Sequence, residues 1–404
     1  MHIAEYGARP TAYAIEFDID LKRFMFYGKE RIAINIKKPT RRIVLDSIGL
    51  SITAAVVIKN NERVELKRKT TSEELIVELK RRVSGAVDVL IEFNGSLNDS
   101  MVGLYRSKYA EGKYIATTQF EPADACRAFP CFDHPALKAT FDISITADSE
   151  LIAVSNMPVK KEKINGSKKT AAFERTPRMS TYLVYIGAGE FEFIEDKYRN
   201  IVLRGITTPG KAQQCRFALD CAKKFLGYYE NYFDVSYPLP KLDMIAIPDF
   251  PTGAMENWGA ITARETAMLF DRRFGSIAQK QRIAQVVAHE LAHMWFGDLE
   301  TMQWWDDLWL NESFARWMES KAVDNLFPEW EMWKLFLIEV VDAALALDAL
   351  KSSHPVAAEI KDPKDVQERF DAVSYDKGGS VIRMLEDFIG ENTFRSGIRE
   401  YIKK

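Results

Sequence analysis

Tyr13, Ile15, Phe17 and Ile19 alternate with Ala14, Glu16, Asp18 and Asp20. A period of two is the signature of a strand with one face on a core and the other in water. Ile32, Ile34 and Ile36 repeat it, as do Val89, Ile91 and Phe93 and then Phe141, Ile143 and Ile145. Asn94-Gly95 reads as a turn after the third of these runs, and the polar stretch 160–170, centred on Asn165-Gly166, reads as a hairpin tip with solvated lysines. Residues 1–190 are therefore predicted to form an all-β domain, a largely antiparallel saddle or sandwich.

Beyond Phe193 the apolar spacing lengthens to threes and fours, and helices are predicted over 211–233, 276–296, 311–327 and 329–350. A short apolar strand, 242–247, precedes the second of them. The fold class predicted is multidomain α+β, with a mainly helical second domain over 191–404. A chain of 404 residues is long enough for two or three domains, each with its own core.

The charge balance excludes some partners. With 55 Lys and Arg against 58 Asp and Glu the net charge is −3, so no global basic field exists to hold a nucleic acid or an anionic membrane. The apolar stretch 335–350 is interrupted by Glu339, Asp342 and Asp348, which suits a helix on a core and not a membrane span. The first six residues carry neither a cationic nor an apolar run, so no secretory signal is expected. Four cysteines without a C-x-x-C pair fit a reducing cytoplasm, a Cys126–Cys131 bridge being the one alternative left open.

Candidate chemistry gathers in one segment. Ser276 and Gln279 have the spacing of a capping box opening a helix, and Gly297 is placed to end it. Within that helix His289 and His293 stand four residues apart, about 40° on the helical wheel, so both imidazoles can reach one ion. Glu290 lies beside them, where it can take a proton from a metal-bound water. Glu312 follows His293 after 18 intervening residues, with Asn311 as a candidate cap that would put Glu312 in the first turn of the next helix. Two histidines, one glutamate and a water make an open catalytic zinc shell, one Zn2+ per chain. Glu319, seven residues on, can orient a ligand imidazole or make a surface salt bridge. His134, beside a proline, reads as a hydrogen-bonded loop residue.

His289-Glu290-Leu291-Ala292-His293, the spacing to Glu312 and the upstream run Gly253-Ala254-Met255-Glu256-Asn257 together resemble the aminopeptidase N family of gluzincin metallopeptidases. The resemblance implies a thermolysin-like catalytic domain and release of single N-terminal residues from peptide substrates. It implies that Gly253, Ala254, Met255, Glu256 and Asn257 bind substrate, that Glu121 and Glu256 hold the free amino terminus, and that Tyr375 stabilises the oxyanion. Met255 and Phe120 are candidates for the wall of the side-chain pocket. The rival readings are a non-catalytic paralogue that binds peptide ends or a proteolytic partner, and an epoxide hydrolase of the leukotriene hydrolase type, against which Glu121 argues. The family also implies a further helical domain, so the chain is expected to be truncated. An apolar face would then be left exposed, or covered by self-association or by a second chain.

Overall fold

Tyr13, Ile15, Phe17 and Ile19 are all buried, while Ala14, Glu16 and Asp18 are exposed, as the alternation requires. The computed structural model describes residues 7–403; the reading of residues 1–6 as lacking a leader lies outside it, as does the chain end at Lys404. The chain divides into two units, the first running to Phe191 and taking in Pro248–Pro251, the second formed by Glu192–Ile247 and the remainder from Thr252.

In the first unit, the Ala8–Asp20 strand is central to a nine-stranded sheet. It pairs antiparallel with Met25–Asp46 on one side and parallel with Thr140–Asp148 on the other, the one parallel ladder among the described residues of a sheet that is otherwise antiparallel, as the largely antiparallel pairing expected allows. The hairpin over 160–170 forms from Val159–Asn165 and Lys168–Phe173, with Gly166 in the left-handed conformation at the turn. Asn94-Gly95, expected as a turn, instead lies inside the long strand Glu74–Ser96. Gly95 is there for space: a Cβ on it would sit 2.3 Å from Cζ of Phe26, the ring that covers it from the paired strand. A second, four-stranded antiparallel sheet contains Lys113–Gln119, which leads into Phe120 and Glu121. The core between strands is aromatic; Tyr13 stacks on Phe141 with centroids 5.0 Å apart, and Phe129 meets both rings edge-on. All four cysteines are buried and free, so Cys126 and Cys131 are not bridged.

The second unit is less purely helical than its sequence suggests. It contains a five-stranded sheet in the order Glu192–Tyr198, Ile201–Thr207, Lys241–Ile247, Ala260–Arg264, Ala254–Met255. Lys241–Ile247 is buried at every position and has parallel neighbours on both sides, which accounts for its mostly apolar sequence; its two charged residues, Lys241 and Asp243, are paired with each other at 2.6 Å. The two-residue strand Ala254–Met255 is the outer edge.

Two helices carry the site. Ile277–His293 begins where Ser276 Oγ accepts the Gln279 backbone N–H at 3.1 Å. The capping is one-sided, because the Gln279 side chain donates to the Leu269 carbonyl instead of returning to Ser276. Leu308–Leu326 begins three residues before the predicted start. Asn311 is thus a buried residue inside the helix and not its cap, and Glu312 falls in the second turn: the short 3-10 turn Trp305–Asp307 already sets the backbone for helix. The segment 329–350 is not one helix. Glu331 takes a left-handed conformation, φ 49°, and beyond it Met332–Leu335, a π-helical stretch Phe336–Val341 and Asp342–Asp348 follow in succession. Among the described residues no helix is long and apolar enough to cross a membrane.

Candidate metal centre and cleft

The two site helices pack on an aromatic cluster that fixes their spacing. Phe296 stacks on Phe314 with centroids 3.7 Å apart, Trp317 meets Phe314 edge-on, and the buried Tyr229 hydroxyl donates to the carbonyl of Ala288 at 2.7 Å. On the facing surfaces, His289 Nε2 lies 3.1 Å from His293 Nε2 and 3.1 Å from Glu312 Oε2, and His293 Nε2 lies 3.5 Å from the same carboxylate oxygen. These three residues are the group among the described residues whose ligand atoms converge as a metal site would require.

The outer nitrogens decide what the inner ones can do. His293 Nδ1 is 3.0 Å from the Phe296 carbonyl, which can only accept, so Nδ1 carries the proton and the neutral ring turns a lone pair inward from Nε2. His289 Nδ1 is 2.8 Å from Glu319 Oε2, and the same argument holds. Two lone pairs and a carboxylate oxygen facing one point at these separations match a tetrahedral ion with ligands ~2.0–2.2 Å away, whose neighbouring ligand atoms stand about 3.3 Å apart. The donor set therefore fits a metal. In the absence of a cation, burial opposes charge on His289, yet its hydrogen bonds to Glu312 and Glu319 outweigh burial and hold it up to about 9. Glu312 is buried too, but the histidines pull its carboxyl well below the usual range.

Glu290 is buried and is not one of the converging ligands. Burial pushes its carboxyl up to about 8, against the pull of His289 and His293. With His289 and Tyr375 it lines a cavity of about 320 Å³, which Ala254 of the sheet edge and Gly253 just before it also line. The Tyr375 ring lies nearly parallel to that of His289, centroids 6.0 Å apart. Glu256 follows the edge strand and is buried, its carboxyl raised by that burial, and Oε1 has no hydrogen-bond partner among the described residues. Asn257 is held by Nδ2 donating to Thr262 Oγ1 at 3.0 Å, and Met255 is buried beside it. Glu121 and Phe120 belong to the first unit, immediately after its strand Lys113–Gln119. His134, also there, accepts the Ala136 backbone N–H at Nδ1 and is a turn residue.

Sequence reasoning missed the residues that tie this site together. Arg316 donates from Nη1 to Glu319 Oε1 and from Nε to Asp376 Oδ1, both at 2.7 Å, so one guanidinium joins the carboxylate behind His289 to the residue after Tyr375. The three-residue step from Arg316 to Glu319 on a helix was the available signal. Asp376 gave none, because its contact depends on the path of a π-helical turn, Val373–Lys377. Arg282, on the face of His289 two turns earlier, also lines the cavity.

The Peptidase M1 N-terminal domain model matches residues 9–183 and the Peptidase family M1 domain model matches residues 217–404. Aminopeptidase M1 of Arabidopsis thaliana is 46% identical over 98% of the chain, and the match covers 46% of the plant protein. Leucyl aminopeptidase of Saccharolobus solfataricus is 44% identical over 97% of the chain and is covered to 49%. Probable aminopeptidase 2 of Sulfurisphaera tokodaii is 44% identical over 96% and is covered to 48%. The chain thus spans about half the length of these curated relatives.

Proposed function

Because the chain belongs to the peptidase M1 family, we propose that it is a zinc-dependent aminopeptidase that releases single residues from peptide N-termini. The observation that carries this reading is the convergence of His289, His293 and Glu312, with Glu290 beside them and a buried, unpartnered carboxylate oxygen of Glu256 at the end of the adjoining sheet edge. A zinc ion, held by His289, His293 and Glu312, supplies the Lewis acidity that polarises a peptide carbonyl and makes a bound water nucleophilic near neutral pH.

The rest of the chemistry belongs to side chains. Glu290 takes the proton of the attacking water and hands it to the departing amine. Tyr375 donates its phenolic hydrogen to the oxygen on which negative charge develops. Glu256 offers its free oxygen to the substrate ammonium, and by family resemblance Glu121 joins it there. Ala254–Met255 pairs with the substrate backbone as an added strand. Glu319 and Arg316 hold His289 in its ligating tautomer.

The test couples metal content to turnover. The purified protein is expected to contain one zinc per chain and to hydrolyse aminoacyl anilide reporters. His293→Ala should lose metal and activity together. Glu290→Gln should keep the metal while losing at least about a hundredfold in rate. Unchanged zinc in the first variant, or near-normal turnover in the second, would remove the corresponding role.

A further inference from the structure

Arg282 stands two turns before His289 on the same face of the Ile277–His293 helix and lines the cavity that His289, Glu290 and Tyr375 share. Its guanidinium reaches the sheet edge: a Cβ built on Gly253 would lie 3.4 Å from Arg282 Nη2. The other arginine in that wall, Arg316, is spent on Glu319 and Asp376. Arg282 is exposed and makes no ion pair among the described residues, so the cleft has one cation available to a ligand.

The geometry also gives direction. Glu256, on which His293 exerts the strongest electrostatic pull of any charged group, marks one end of the edge segment, and Gly253, beside Arg282, marks the other. A peptide whose ammonium meets Glu256 must therefore run toward Arg282 as it leaves the metal site. Seven helical residues at 1.5 Å place Arg282 about 10 Å along the axis from His289. An extended chain covers ~3.3–3.6 Å per residue, so that distance is two to three residues past the scissile carbonyl once the length of the arginine side chain is allowed for.

We propose that Arg282 binds the C-terminal carboxylate of tri- and tetrapeptides and makes short peptides with a free carboxylate the preferred substrates. This rests on the aminopeptidase reading above and adds to it a substrate class. A guanidinium fork matches a carboxylate through two parallel hydrogen bonds, which an amide cannot reproduce.

The test compares Leu-Gly-Gly and Leu-Gly-Gly-Gly with their C-terminal amides. For the protein with Arg282 intact, kcat/KM for the better acid should exceed that for its amide roughly fivefold to tenfold, the difference residing in KM and shrinking as salt is added. Arg282→Ala should bring the ratio close to one, and Arg282→Lys should leave an intermediate preference. The same pairs are titrated calorimetrically into Glu290→Gln protein, which reads binding without turnover, and into that protein with Arg282→Ala added. Acid and amide treated alike at both lengths, or a preference that survives Arg282→Ala, would overturn the proposal. Failure to cleave the anilide reporter would instead count against the aminopeptidase reading, and the calorimetric ratio would still decide the role of Arg282.

Discussion

Single residues differ in how much of their role is local. His289, Glu290 and His293 act through a helical spacing that any observer of the sequence can draw. Asp133 could not be read that way. It is buried in the first unit, accepting the Cys126 backbone N–H at 3.0 Å and the Thr181 hydroxyl at 2.7 Å. Burial raises its carboxyl from 3.8 to about 7 despite those bonds. Between these values the folded chain keeps a proton that the unfolded chain has shed, so the unfolded state binds fewer protons and stability falls as pH rises from about 4 to about 7. Glu30, buried with neither carboxylate oxygen hydrogen-bonded among the described residues, is shifted in the same direction by burial and adds to the same slope. Urea midpoints at pH 4.5 and 7.5 are expected to show the loss, and Asp133→Asn should reduce it; an identical pH profile in the variant would show that Asp133 is charged in the fold.

At the scale of elements, the site depends on close approach between helices and on a free sheet edge. Gly378 begins the helix Gly378–Ile389 directly after the turn that carries Tyr375, and a Cβ there would lie 1.8 Å from Ser313 Oγ. Ser313 in turn donates to the Ser374 carbonyl at 2.5 Å, so this contact locks the tyrosine turn to the helix bearing Glu312. Gly378→Ala should cost about 1–3 kcal/mol by overpacking and should lower kcat more than a remote substitution of equal cost. Thermal unfolding and kinetics on the same preparation check both parts. The edge strand makes a different prediction. If Glu256 meets an ammonium, N-acetylated peptides should be cleaved far more slowly than free ones, because acetylation removes the charge. Equal rates for blocked and free peptides would contradict the anchoring role.

For the whole molecule, the feature that matters is an exposed apolar stripe. Val381, Met384, Leu385 and Phe388 recur at helical spacing along Gly378–Ile389 and are 53%, 69%, 48% and 88% exposed. A stripe this regular, unlike scattered surface apolarity, predicts association. Light scattering on the purified chain is expected to give a mass above 46.2 kDa that rises with concentration, and Phe388→Glu should lower it. A concentration-independent monomer would mean that the stripe is tolerated in water.

What the sequence by itself determined was whatever depends on neighbours along the chain: the buried faces of the Ala8–Asp20 and Met25–Asp46 strands, the Ser276 cap, and the i, i+4 histidines with Glu290 beside them. The spacing beyond His293 pointed to Glu312, and the resemblance carried by those motifs extended the reading to Glu256 and Tyr375. Tertiary structure alone decided what depends on residues distant in sequence. Gly95 is a strand residue because Phe26 needs its space, and Arg316 joins Glu319 to Asp376 across 60 residues. Local preference is a weak force, and packing overrides it wherever a ring, a cap or a buried charge must be satisfied by a group from elsewhere in the chain.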